Sequence, residues 1–388
     1  MRIGIDARIT YYTRGGISHY VLSLLRALAA LDSQTSYCVL YSRKQHRPPE
    51  GAPNFAAVPC WTPSHHRLER WALGAEIARL RLELLHSPDF IPPAWGYRHS
   101  VITVHDLNFL YDARFLSAES RRYYNGQIAW AVQRADAILA DSQATRADLV
   151  ARLGVAADKV TVAHLAPGPA FRPLPAHEVA QVCERYGLVP GYILFVGTLE
   201  PRKNVPGLLH AYRLLLDAER TDARLVIVGA RGWLAEPLEA EVQRLRLERR
   251  VHLLHGVPDA DLPALYNGAA VLALPSFYEG FGLPVLEAMA CGTPVVAANR
   301  TSLPEVVADA GLLVDPEDDG QIARALAQAL NDAALRARLR AAGLARAAQF
   351  TWERTALITR AVYRRVLGLE TNTADEDSVL DSPTALPT

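Results

Sequence analysis

The chain has 388 residues, half of them hydrophobic and 21% charged, a size and make-up that favour two domains with ordinary globular cores. Its 41 Lys and Arg balance 41 Asp and Glu, so it lacks the basic excess of a nucleic-acid coat, and no nucleic-acid partner is expected. Cys38, Cys60, Cys183 and Cys291 lie far apart with no CxxC pair, which excludes a disulfide scaffold and a cysteine zinc site and fits a reducing compartment.

Arg2–Asp6 reads as a strand and not as a signal peptide, because its apolar run is short and a charge interrupts it. Nowhere does an apolar stretch reach the roughly 18 residues of a membrane span. A cytoplasmic protein is expected, with peripheral contact at the inner face of a membrane left open. Residues 16–31 follow as a helix, then strands at 37–41, 84–86 and 100–104, a helix at 119–134, a strand at 137–140, a helix at 143–153 behind the Asp141-Ser142 cap, and a strand at 159–163. Four prolines in residues 166–175 read as a linker.

A second series of the same kind follows the linker. Strands are expected at 192–196, 224–228, 251–254, 270–274 and 295–297, and helices at 204–216, 233–245, 258–268, 284–290 and 320–348. Residues 352–368 read as a last helix, and 370–388 as a disordered tail. Alternation of this kind makes an α/β fold, two parallel sheets with crossover helices. The expected domains are residues 1–168, joined by helix 351–368, and residues 169–350. Ligands bind at the carboxyl ends of parallel strands, so two facing sheets leave a cleft for the active site.

Four segments at strand ends carry chemistry. In Ser276-Phe-Tyr-Glu279-Gly280-Phe281-Gly282-Leu283-Pro284-Val285-Leu286-Glu287, the glycines let a ligand approach the main chain and Pro284 starts a helix whose N–H groups suit a phosphate. Glu279 stands at the mouth before the glycines, and Glu287 about one turn into the helix. In Phe195-Val-Gly197-Thr-Leu-Glu-Pro-Arg202-Lys203-Asn204, two cations suited to phosphate oxygens follow a strand. Gly15 and Gly16 open the first helix. His105 and Asp106 end a buried strand, where a structural histidine is the commoner reading. GxGxxG, GxxxxGK[ST], HExxH and GxSxG are absent, so dinucleotide, P-loop, zinc-protease and α/β-hydrolase readings have no support.

Together these segments resemble the retaining glycosyltransferases of family GT4, built as two facing Rossmann-like domains (GT-B). The likeness runs over residues 1–368: Glu279 and Glu287 match the family's E-x7-E signature, the Arg202-Lys203 loop its diphosphate loop, and Gly15-Gly16 and His105-Asp106 its amino-terminal motifs. Arg231-Gly232-Trp233 resembles bacterial mannosyltransferases. The resemblance implies that Arg202 and Lys203 hold the donor diphosphate, that Glu287 takes the ribose hydroxyls and that Glu279 contacts the donor sugar. It further implies that the backbone of Phe281, Gly282 and Leu283 binds sugar and phosphate. Gly197 belongs to the donor loop, Gly16 approaches the diphosphate, and His105 lies near the transferred sugar. Retention through front-face attack needs no protein nucleophile, and neither metal nor cofactor is expected.

GDP-mannose is the first expectation for the donor, and UDP-glucose or UDP-N-acetylglucosamine the second. The acceptor is a saccharide or a lipid-linked saccharide. A nucleotide-sugar epimerase of the same fold is the alternative enzyme, and a two-domain sugar receptor the alternative without chemistry. Trp61, His65, His66, Arg67, Arg70 and Trp71 suit a membrane or an acceptor, or belong to an ordinary amphipathic helix.

Overall fold

The computed structural model describes residues 1–12, 15–45, 52–66, 68–111, 118–229 and 238–369, with only the backbone of 118–123. The chain folds as two compact units. One holds Met1–Leu110, Ala118–Leu165 and the chain from Thr351; the other is built on Ala166–Phe350.

The first unit has seven strands, β1 (Arg2–Asp6), β2 (Ser36–Ser42), β3 (Phe55–Cys60), β4 (Leu82–Ser87), β5 (Tyr97–Val104), β6 (Ala137–Ala140) and β7 (Val160–Val162). They pair in the order β3-β2-β1-β4-β5-β6-β7, and every ladder is parallel. Parallel sheets are covered on both faces, which is why β6 is buried along its whole length and reads as an unbroken apolar run. Helix Gly16–Leu31 buries Val21, Leu24, Leu25 and Leu28, spaced for one helical face. The last helix, Trp352–Val366, belongs to this unit. Thr351 caps it, Thr355 donates to the His164 carbonyl at 2.6 Å, and Arg360 donates to the Leu31 carbonyl at 3.2 Å.

The second unit has six strands, β8 (Tyr192–Val196), β9 (Leu225–Val228), β10 (Val251–Leu254), β11 (Ala269–Leu274), β12 (Val295–Ala298) and β13 (Leu312–Val314). Their order is β10-β9-β8-β11-β12-β13, again all parallel. Gly229, just past β9, has no room for a side chain: a Cβ there would stand 2.0 Å from the Gly197 carbonyl oxygen. In each sheet the strand order reverses beside its first strand, between β1 and β4 and between β8 and β11. Loops leaving the carboxyl ends of such strands diverge and leave a ligand crevice. The loops at 197–203 and 275–282 leave β8 and β11.

Several elements depart from expectation. β3 and β13 were not anticipated; both are edge strands, and β3 tolerates Pro59 because an edge position spares the missing N–H. Helices Ala176–Arg185 and Leu303–Val307 are further additions, and Arg70 and Trp71 lie in a helix, Glu69–Ile77. The single helix expected over 320–348 is two, Asp319–Asn331 and Ala333–Ala347. The break is at Asp332, which leaves helical geometry and accepts from Leu335 N–H at 2.9 Å, capping the second helix. The helix expected at 258–268 starts at Leu262, and the one expected at 233–245 is described only over Leu238–Arg244. Arg231-Gly232-Trp233, Arg67 and the tail 370–388 lie outside the described residues.

Candidate active site

In the second unit, residues 76 and 77 positions apart in sequence meet at the ends of β8 and β11. Lys203 Nζ donates to both oxygens of Glu279, at 2.6 and 2.8 Å. Arg202 Nη1 reaches Glu279 Oε2 at 3.2 Å, and its Nε donates to Glu200 at 2.7 Å. Ser276 donates to Glu279 Oε1 at 2.7 Å. The local backbone makes this possible. Pro201–Lys203 form one tight turn, Asn204 ends it in the left-handed region at φ 54°, and its side chain donates to the Pro316 carbonyl at 2.7 Å. Phe277 N–H donates to the Arg202 carbonyl at 2.8 Å, tying the two loops together.

Glu279 and Lys203 are both buried, 5% and 6% exposed, so each charge leans on the other. Burial alone would raise the Glu279 pKa, but Lys203 and Arg202 outweigh it and hold the carboxyl below its usual range. Burial pulls Lys203 down, with Glu279 opposing. The Glu279 carboxylate was expected at the mouth of the site; instead it is buried beneath its two cations.

Beyond Glu279 the chain turns through Gly282 at φ 107° into helix Leu283–Ala290, and no side chain caps that helix. Ser302 braces the turn by donating to the carbonyls of Glu279 and Phe281, both at 2.9 Å. The Phe281 ring turns inward against Phe350, 5.8 Å between centroids. Glu287, a half-buried residue inside the helix, has an environment opposite to that of Glu279. Tyr266 Oη donates to its Oε2 at 2.8 Å, and no cation is paired with it among the described residues. Burial therefore pushes its carboxyl up to about 7, the Tyr266 hydrogen bond opposing and Asp259 reinforcing the rise.

In the first unit, His105 follows β5. Its Nδ1 lies 2.7 Å from Asp141 Oδ2 and its Nε2 2.8 Å from the Pro88 carbonyl oxygen. Burial pushes the Asp141 carboxyl up and the His105 charge opposes it; with Asp141 ionised both partners accept, which matches an imidazolium donating from both nitrogens. Burial opposes that charge, but Asp141 and then Asp89 raise the pKa to about 9. Tyr20 meets the ring edge-on at 4.9 Å. Beneath it, a neutral His86, its pKa pulled down to about 3 by burial and by His105, lies 2.8 Å from Thr103 Oγ1 and 2.6 Å from Tyr363 Oη. Gly16 starts its helix after Gly15, and a Cβ at either position would meet nothing within 4 Å among the described residues.

Within the second unit the structure gathers Gly197, Arg202, Lys203 and Glu279, with Phe281, Gly282, Leu283 and Glu287 following in one turn and helix. His105 and Gly16 stand at strand ends of the first unit. Sequence reasoning missed Ser276, Ser302, Tyr266 and Asp141. Ser276 and Asp141 lie beside motifs already singled out, whereas Tyr266 and Ser302 carry no local signal, since only tertiary folding brings them in. Among the described residues no group of three or more His, Cys, Asp or Glu is placed to hold a metal ion, and no helix is long and apolar enough to cross a membrane.

Comparison with known proteins agrees with this geometry. Residues 189–346 match Glycosyl transferases group 1, and residues 14–166 match Glycosyltransferase Family 4. The O-antigen chain mannosyltransferase B of Escherichia coli is 38% identical over 301 residues, 77% of this chain and 78% of that protein. A serotype-specific mannosyltransferase of E. coli is 35% identical over 294 residues, 73% of this chain; this chain spans 36% of that longer protein. Sucrose-phosphate synthase from Thermosynechococcus elongatus shares the fold, with a TM-score of 0.76 at 23% identity over 95% of this chain and 99% of that one. The chain belongs to glycosyltransferase family 4 and is a glycosyltransferase of the GT-B fold.

Proposed function

We propose that this enzyme transfers mannose from GDP-mannose, with retention, to a saccharide or lipid-linked saccharide during polysaccharide synthesis. The observation that carries the donor chemistry is the buried Lys203–Glu279–Arg202 cluster at the ends of β8 and β11. Negative charge grows on the leaving diphosphate as the glycosidic bond breaks, and preorganised cations stabilise it without reorganising. Arg202 and Lys203 supply those cations, and Glu279 holds them in place. The uncapped start of helix Leu283–Ala290 offers N–H groups to an anion. Glu287, lacking a paired cation, is suited to accept from two ribose hydroxyls. To Gly197 we assign the close approach of the donor loop, to Gly16 that of the first helix, and to His105 a contact with the transferred sugar.

Retention without a protein nucleophile fits the state of Glu279. Lys203, Arg202 and Ser276 occupy its oxygens, so it acts as a counter-ion. The acceptor hydroxyl then attacks on the face the diphosphate leaves, within an ion pair. Mannose as the sugar rests on the likeness to the E. coli O-antigen mannosyltransferase. The test is release of nucleotide diphosphate from GDP-mannose, UDP-glucose and UDP-N-acetylglucosamine in parallel, followed by the anomeric coupling of the product. Faster turnover of either UDP sugar overturns the donor assignment, and an inverted product overturns the mechanism.

A further inference from the structure

His86 is a titratable side chain with no part in the chemistry assigned above, and it is fully buried. A histidine in such a place is costly unless both ring nitrogens are satisfied. Here they are. Nδ1 lies 2.6 Å from Tyr363 Oη, and Nε2 lies 2.8 Å from Thr103 Oγ1. The same Thr103 hydroxyl lies 3.0 Å from Tyr20 Oη. A neutral imidazole has one donor and one acceptor nitrogen, so it links the two hydroxyls in one continuous chain. An apolar side chain would fill the place without these demands. What the polar chain adds is a single defined geometry.

The chain of hydrogen bonds joins four elements of the first unit. Tyr363 comes from the last helix, 277 positions beyond His86. His86 comes from β4, Thr103 from β5 and Tyr20 from helix Gly16–Leu31. Thr103 stands two residues beyond Val101, the register partner of His86, so both side chains face the same side of the sheet. All four residues are at most 1% exposed, and water does not compete for the links.

This chain ends against His105. Asp141 Oδ2 and the Pro88 carbonyl oxygen hold the two nitrogens of that ring. Two such bonds fix where the nitrogens lie, yet the ring can still rock about the line joining them. The Tyr20 ring opposes that rocking, 4.9 Å away at an interplanar angle of 78°. Tyr20 is itself gripped at two points, its hydroxyl by Thr103 and its ring by Trp352, 6.1 Å between centroids. The last helix therefore reaches His105 by two routes. Trp352 bears on Tyr20 directly, and Tyr363 bears on it through His86 and Thr103.

We propose that Tyr20 is a positioning residue for His105, and that Tyr363, His86 and Thr103 hold Tyr20 in the orientation this requires. The proposal rests on the contact assigned above between His105 and the transferred sugar. A rocking imidazolium is out of line with that sugar for part of the time, so the network acts on turnover more than on donor binding.

The test is Tyr363→Phe, which removes one hydroxyl and keeps the ring, made in the parent and in a His105→Gln chain. Release of nucleotide diphosphate, from whichever nucleotide sugar turns over fastest, gives kcat and KM. NMR of the histidine rings, without substrate, reads His105 itself. In the parent, Tyr363→Phe should move the His105 signals and lower kcat about tenfold, with KM nearly unchanged. In the His105→Gln chain it should lower kcat no further, because it acts through the histidine; a general structural loss would lower kcat in both. Tyr20→Phe cuts the same chain one link from His105 and should match Tyr363→Phe, whereas Tyr20→Leu also removes the ring and should cost more. Should Tyr363→Phe fail to fold, Thr103→Val cuts the chain at its middle and is read in the same way. His105 signals unmoved by Tyr363→Phe and Tyr20→Phe, equal losses of kcat in the two backgrounds, or a loss confined to KM overturn the proposal. Signals that move while turnover stays unchanged overturn instead the sugar contact assigned to His105, and support the hold of Tyr20 on its ring.

Discussion

Lys203 Nζ lies between the two oxygens of Glu279, 2.6 and 2.8 Å away, with both residues almost fully buried. Removing one partner strands the other's charge, which costs about 3–5 kcal/mol in a buried pair. Lys203→Ala is expected near the low end, because Arg202 still faces Glu279. Lys203→Ala with Glu279→Gln removes both charges, and its loss is expected to be smaller than the sum of the Lys203→Ala and Glu279→Gln losses. Chemical denaturation of the four proteins, read as a double-mutant cycle, checks this. In kinetics Lys203→Ala should lower turnover more than donor affinity, since its charge is needed most as the diphosphate departs.

The other signature carboxylate should behave as a neutral-pH titrant. Its folded pKa of about 7 lies above the ordinary carboxyl value of 4.5. Between those values the native state keeps a proton that the unfolded chain has lost. Stability therefore falls as pH rises through this window and levels off above 7. Glu287→Gln removes that penalty and is expected to stabilise the protein at pH 8 by about 1–3 kcal/mol. If ribose hydroxyls donate to this carboxylate, the same change weakens the nucleotide diphosphate about 10- to 100-fold above pH 7. Tyr266→Phe removes one donor to the carboxylate and should raise its pKa further, moving the pH profile of nucleotide binding upward. Thermal melts and calorimetry across pH 5–9 check both.

Much of this layout is legible in sequence because parallel strands buried on both faces are short apolar runs with abrupt ends. β6, β8 and β9 fall where the runs fall. Edge strands are less visible: β3 carries Pro59 and three alanine or valine positions that are not fully buried, and β13 has only three residues. Local patterning also cannot see Asp332, since helix-forming residues surround it and only its cap geometry stops the helix. At the site, motif residues were visible by spacing, but their electrostatics were not. Glu279 and Glu287 are both glutamates near a Gly-Pro turn, yet one sits under two cations and the other under a tyrosine. That contrast depends on partners 76 and 21 positions away.

His105 gives a prediction of the same sign in pH, in a higher window. Its folded pKa of about 9 lies above the ordinary imidazole value of 6.5. The stability it contributes is fully present below pH 6.5 and is lost as pH rises through 9. Asp141→Asn replaces the carboxylate on Nδ1 with a neutral amide, so the imidazolium loses its main support. The His105 pKa should fall by a unit or more, and stability at pH 7 by about 1–3 kcal/mol. Histidine ring signals followed by NMR through a pH titration check the first point, and denaturation at pH 7 and 9.5 the second. The difference between variant and parent should shrink at the higher pH.

Gly282 should tolerate no side chain. Its φ of 107° lies where residues with a Cβ are strained, and a Cβ would stand 2.6 Å from Leu303 Cδ2. Leu303 is fully buried, so it has nowhere to swing. The backbone strain alone costs about 1–3 kcal/mol, and the clash adds to it. The turn is also held from below by Ser302, whose hydroxyl reaches the carbonyls on both sides of Gly280. Gly282→Ala therefore pushes the start of helix Leu283–Ala290 out of place against a fixed support. Expected are a lower melting temperature and a weakened grip on the nucleotide diphosphate, because the displaced N–H groups are those proposed to hold it. Leu303→Ala in the same chain relieves the clash but not the strained φ. The double variant should regain part of the lost diphosphate affinity while remaining less stable than the parent. Calorimetry and thermal melts of the single and double variants read the two effects separately, and full tolerance of Gly282→Ala in both would show that the turn relaxes freely.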